Sequence, residues 1–451
     1  MRSRLLAALA LCAALPAHAE DAATADRLQA LEQRVESLEQ ERDDLRTALR
    51  EQSAANANQS EGLLDWTRRI HLSGSANSGF YHGGDASPFA EQGNFQVWDA
   101  RFFLDADLGR DVSLGETTIA RNVGFSFEWN LVRLGEVVND VGELYGELQG
   151  VAGLPWLNVQ VGRFYIPVGE NYLRYGKGYR DNPFLTTTVG GPWWWDEGVK
   201  LYGSFREGQL GYVASVSDGE TSFSDDARRD PQETLKLWVK PLPWLYLSAS
   251  ALHSGQIGSR QEPAEGALWM GETWANGIGS LSPIPTYQHG ALVGGGPTEL
   301  DSTNFLGMDV VLTNDRWGRL WLAYGQYAID PSGPGRFGRD LTYWVAEWVV
   351  SGAAISPELA PLYLALQANG LGTYDSNKGY LLDIRQSGRL GYNMRSLEAY
   401  SIALGWHLTR WATLRAQYTH QSIDLVNGVP QELRDAADGA DYFGFELGAA
   451  F

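Results

Sequence analysis

The chain has 451 residues, with 52 Gly, 17 Trp, 20 Tyr, 16 Phe and a single Cys, and its formal net charge is −20. That acidity argues against nucleic acid as a partner. Aromatic residues throughout argue against a disordered chain. One cysteine excludes an internal disulfide framework.

In chain order, residues 1–19 come first. They have a basic start (Arg2, Arg4), an apolar run and small residues around Ala17 and Ala19, the pattern of a secretory signal peptide. Cleavage there would remove Cys12 and leave a charge of −22, with no thiol for catalysis or metal binding. Residues 20–52 are expected to form a coiled-coil helix. Leu28, Leu31, Val35, Leu38, Leu45 and Leu49 keep three-and-four spacing, with Arg42 in the one missing apolar slot. A helix lying singly on the protein is the alternative. Residues 53–65 read as a linker, polar and rich in small side chains over 53–61.

From residue 66 to 451 the sequence is predicted to be all-β. No run there approaches eighteen apolar residues, so no spanning helix is expected. Segments that alternate apolar and polar residues recur instead, the period of a strand with two different faces. Trp98, Ala100, Phe102, Leu104 and Ala106 alternate with Asp99, Arg101, Phe103, Asp105 and Asp107. Phe125, Phe127 and Trp129 alternate with Ser126, Glu128 and Asn130. Similar sets follow at 199–205, 210–216, 235–239, 245–251, 400–408 and 412–418.

The connections sort by length. Short ones at 206–209, 241–244, 314–318 and 409–411 alternate with long ones at 168–196, 218–231, 255–302, 330–340 and 425–440. An up-and-down membrane barrel sorts its loops this way, short on the periplasmic side and long outside. About sixteen antiparallel strands are expected, with 351–361 ambiguous. Trp66, Trp156, Trp244, Trp317 and Trp411 fall at short turns, and Trp193, Trp194 and Trp195 at the opposite end, as two interfacial girdles would require.

The final stretch, 441–451, reads D-Y-F-G-F-E-L-G-A-A-F. Phe443, Phe445, Leu447, Ala449 and Phe451 share one face, over a length that suits a tilted bilayer crossing. It resembles the closing strand of a bacterial outer-membrane barrel. Together with L-E-Q-R-V-E-S-L-E-Q (31–40), L-N-V-Q-V-G-R-F-Y-I-P-V-G (157–169) and S-I-A-L-G-W-H-L-T-R-W-A-T-L-R-A-Q-Y (401–418), it makes the chain similar to Gram-negative porins. Among these it looks most like the phosphate-selective porin O and P family. The resemblance implies a homotrimer in outer-membrane lipid, a periplasmic amino-terminal segment, and pores narrowed by an inward-folded third loop. Phosphate members of that family carry a ladder of basic residues along the pore.

The long connection at 168–196 supplies the candidate constriction: Arg174, Lys177 and Arg180 with Tyr172, Tyr175 and Tyr179. Cationic side chains there would favour anions, and the rings would narrow the passage. Solvated loop charges are the plainer explanation. Asp99, Arg101, Asp105, Asp107 and Glu128 are expected to face the lumen, a mixture that departs from an all-basic ladder.

No H-E-x-x-H pair, phosphate-binding glycine loop or G-x-S-x-G turn occurs, so no catalytic site, metal or cofactor is expected. The expected function is passive diffusion of small hydrophilic solutes, with anions such as phosphate among them. The alternatives are a plugged barrel that binds a surface ligand, an outer-membrane hydrolase and a sheath around an electron carrier.

Overall fold

The computed structural model describes residues 69–83, 93–133, 135–170, 182–186, 188, 195–218, 231–254, 286–288, 291–293, 302–314, 317–330, 339–373, 380–382, 392–425, 431 and 441–451. The predicted signal peptide, coiled coil and linker lie outside them. So do Tyr172, Arg174, Tyr175, Lys177, Tyr179, Arg180, Trp66, Trp193 and Trp194.

Sixteen long strands form one closed antiparallel barrel. The first eight are β1 (Ile70–Gly83), β2 (Asn94–Leu114), β3 (Thr117–Arg133), β4 (Glu136–Gln149), β5 (Asn158–Tyr165), β6 (Trp195–Phe205), β7 (Leu210–Ser217) and β8 (Gln232–Leu242). The rest are β9 (Leu245–Ser254), β10 (Ser302–Asn314), β11 (Gly318–Asp330), β12 (Arg339–Ser351), β13 (Leu362–Thr373), β14 (Tyr392–Thr409), β15 (Ala412–Leu425) and β16 (Tyr442–Ala450). Each pairs with its sequence neighbours. Closure comes from β16 against β1, with Ser75 opposite Ala450 and Gly83 opposite Tyr442. Closure leaves no edge strand with unsatisfied backbone groups, the condition for a sheet in hydrocarbon. Tyr380–Leu382 adds a short extra pairing to β14, and Thr286–Gln288 with Ala291–Val293 forms a separate hairpin.

Side chains follow the predicted alternation. On β16 Phe443, Phe445 and Leu447 point outward, while Tyr442, Gly444, Glu446 and Gly448 are buried inside. On β15 Leu414 and Tyr418 are outside, and Arg415, Gln417, Thr419 and Gln421 inside. Interior positions are polar because they bond to one another and to an inserted loop, so few donors are left idle.

The ambiguous stretch at 351–361 is a connection of two single 3-10 turns, Gly352–Ala354 and Pro357–Leu359. Each begins at a serine whose hydroxyl accepts a backbone N–H, from Ala353 to Ser351 and from Glu358 to Ser356. Tight turns close the same end elsewhere. At Gly318 φ is +86° and an added Cβ would lie 1.9 Å from the Val349 carbonyl oxygen, so the turn requires glycine.

Two expectations are corrected. The long connection expected to begin at 168 begins after Tyr165, and alternation fails there because Arg163, Phe164, Tyr165, Ile166 and Val168 are all buried. The chain leaves the wall at this point and enters the barrel. Trp195, expected in an interfacial girdle, is 1 % exposed and turned inward, where its indole finds a carboxylate. Trp156, Trp244 and Trp411 are exposed at short connections as expected.

Candidate pore constriction and vestibule

The connection between β5 and β6 is pinned at both ends. At its root, Lys236 of β8 donates from Nζ to the Gly169 carbonyl at 2.5 Å and to Glu170 Oε1 at 2.6 Å. Ser250 of β9 accepts the Gly169 N–H at 3.0 Å. Ser248 donates to Glu170 at 3.2 Å and reaches Asp309 of β10 at 3.3 Å, and Trp321 of β11 donates to Asp309 at 3.0 Å. The ammonium thus meets Glu170, and the Ser248 hydroxyl links that carboxylate to Asp309, which the Trp321 indole also serves. A buried charge is tolerated only with such partners.

The far end lies against a different part of the ring. Asn182 closes a local turn, accepting from the Phe184 N–H at 3.1 Å and donating to the Thr186 carbonyl at 2.9 Å. Arg415 of β15 donates to the carbonyls of Asn182 at 2.7 Å and Phe184 at 3.2 Å. Gln417 accepts the Leu185 N–H at 2.5 Å, Tyr363 of β13 donates to the Pro183 carbonyl at 3.0 Å, and Thr186 bonds to Tyr442 of β16 at 2.8 Å. Leu185 packs among Tyr81, Trp98 and Tyr442. Arg415 also pairs with Glu446, which accepts from Tyr81 at 2.7 Å.

In the strand order β8 and β9 stand half a ring away from β16 and β1. The two described ends of the connection are therefore held on opposite sides of the ring. The six residues named as the constriction fall between its two anchors, outside the described residues.

The five charged residues expected in the lumen are on the inner side of β2 and β3, and most are already occupied. Arg101 donates to Asp99 at 3.0 Å, to Glu128 at 3.1 Å and to Tyr165 at 3.1 Å. Trp195 and the Glu143 N–H both donate to Glu128 at 3.2 Å. Asp99, Arg101 and Glu128 are at most 3 % exposed. Tyr165 and Trp195 bracket the connection, so this cluster clamps its two ends to the wall. Asp105 accepts from Ser126, and Asp107 pairs with Arg110 at 3.0 Å near the short-turn rim.

Sequence reasoning missed Lys236, Asp309, Arg415, Gln417 and Glu446. Glu446 and Arg415 occupy polar positions of strands that were read correctly, so their side was legible. Their role as anchors was not, because each partner is remote in sequence.

Beneath the far anchor, at the short-turn end, is a cavity of about 740 Å³ lined by the inserted loop at Asn182 and Pro183 and by β1, β10–β16 and their turns. Its charged lining is Arg319, Arg410 and Arg415, with His407 beside them.

This geometry defines the class as a sixteen-stranded outer-membrane-type barrel with an inserted loop. Solved structures share the fold. OmpT of Vibrio cholerae matches with TM-score 0.52 and 10 % identity, over 85 % of this chain and 97 % of that one. An anion-selective porin from Comamonas acidovorans gives 0.51 and 9 %, over 85 % and 99 %. The outer-membrane channel DcaP of Acinetobacter baumannii gives 0.51 and 11 %, over 85 % and 97 %. No protein-family profile and no curated protein matches the sequence.

Proposed function

We propose that the chain is an outer-membrane porin through which small hydrophilic solutes diffuse passively. The observation that carries this reading is the β5–β6 connection, whose described ends at 169–170 and 182–186 are held inside the ring on opposite sides, with a 740 Å³ vestibule beside the second. Charge and width at such a neck set the rate and the preference among solutes. The reading includes a homotrimer in outer-membrane lipid with the amino-terminal segment in the periplasm. The finer proposal is a preference for anions, supported by the arginines of the vestibule. Phosphate as the favoured anion rests on Arg174, Lys177 and Arg180 alone.

The test is reconstitution in a planar bilayer under a salt gradient. Stepwise conductance with a zero-current potential of the anion-selective sign is expected. A barrel that inserts without conducting would refute the pore, and a cation-selective potential would refute the anion preference.

A further inference from the structure

The cavity at the short-turn end has properties the pore reading does not require. Among the described residues no Asp or Glu lines it. Glu446 and Glu347, which pair with Arg415 and Arg319, have unexposed side chains behind those arginines. Arg410 rests its guanidinium 4.5 Å from the centre of the Trp411 ring, and no carboxylate among the described residues pairs with it. Arg415 is spent on Glu446 and on the Asn182 and Phe184 carbonyls, which leaves Arg410 as the lining guanidinium with no carboxylate partner among the described residues. Beside these groups the rings of Tyr363 and His407 meet at 5.4 Å. The volume lies in the range of pockets that enclose organic molecules, about 300–1,000 Å³, and far exceeds what one inorganic oxyanion fills.

We propose that this vestibule is a binding site for small organic carboxylates with a flat apolar body, held head-on by Arg410 and along the body by Tyr363 and His407. The proposal rests on the porin reading, since that reading makes the vestibule part of the solute path. The Arg410 guanidinium fork matches the carboxylate, and the ring pair offers a face that acetate or phosphate cannot use.

The experiment compares benzoate, acetate and inorganic phosphate on the full-length protein, by isothermal titration in detergent and by block of single-channel current. Benzoate is expected to bind several-fold more tightly than the other two. The Arg410→Gln variant should weaken benzoate about tenfold, the loss of one charge-assisted contact. His407→Ala should weaken benzoate and leave acetate unchanged. Phosphate binding as tightly as benzoate, or Arg410→Gln without effect, would overturn the proposal. A channel that conducts but binds no benzoate removes the site and leaves the pore. Benzoate bound by a protein that never conducts removes the pore and leaves the site.

Discussion

Arg415 illustrates how a single side chain acts at two levels. Its guanidinium neutralises Glu446 inside the wall and holds two carbonyls of the inserted loop. Replacement by Met would leave Glu446 buried without its cation, and breaking a buried pair from one side costs about 3–5 kcal/mol. Urea unfolding of the Arg415→Met protein in detergent should show a loss of that order. Adding Glu446→Leu should recover more than half of it, because the stranded charge is then gone. Gly318 makes a second case: alanine there would meet the Val349 carbonyl in a left-handed turn. Gly318→Ala should therefore lower stability by about 1–3 kcal/mol, read as a shift in the same unfolding curve.

At the scale of elements, the inserted connection behaves as a strap with independent fastenings. Lys236 secures its root through Gly169 and Glu170, and the Arg101 cluster grips Tyr165 and Trp195 on either side. Lys236→Met keeps the stem volume but removes the ammonium, leaving the Gly169 carbonyl without that donor. Single-channel recordings of this variant should show greater current noise and an altered open conductance. Traces identical to the parent would mean that the strap is held elsewhere. The strap also explains why three of the charged residues expected in the lumen are sealed. Asp99, Arg101 and Glu128 are buried, and their charges are spent on one another and on Tyr165 and Trp195. On the porin reading, solute would instead meet Arg319 and Arg410, which line the vestibule.

For the molecule as a whole, net charge is a poor guide to preference. The chain is strongly acidic, yet a permeating ion responds to charges within a Debye length, about 8–10 Å at moderate salt. If the arginine-lined vestibule governs entry, the anion-to-cation permeability ratio should exceed one in dilute salt and fall towards one near 1 M, where that length is about 3 Å. Zero-current potentials measured over a series of salt concentrations check this. The pairs that close the ring run from Ser75 opposite Ala450 to Gly83 opposite Tyr442. A chain lacking residues 20–65 should still give the parent single-channel conductance, and any change in its oligomer on unheated gels would assign assembly to the amino-terminal segment.

Much of this architecture could be read from the sequence. Strand identity, facing, loop order and the count of about sixteen all follow from a period-two pattern, and the pleated backbone imposes that period locally. The closing strand 442–450 and its outward phenylalanines needed nothing beyond their own order. Other features depend on contacts the pattern cannot encode. Tyr165 and Trp195 look like strand-end aromatics in sequence, and only the inward turn of the chain makes them buried partners of Arg101 and Glu128. Arg415 meets Asn182 from 233 positions away, and Lys236 meets Gly169 from 67. Such pairings exist only once the ring has closed around the ends of the loop. Alternation is a property of each strand and survives in the sequence, whereas the neck and the vestibule are set by which remote side chains closure brings within hydrogen-bonding reach.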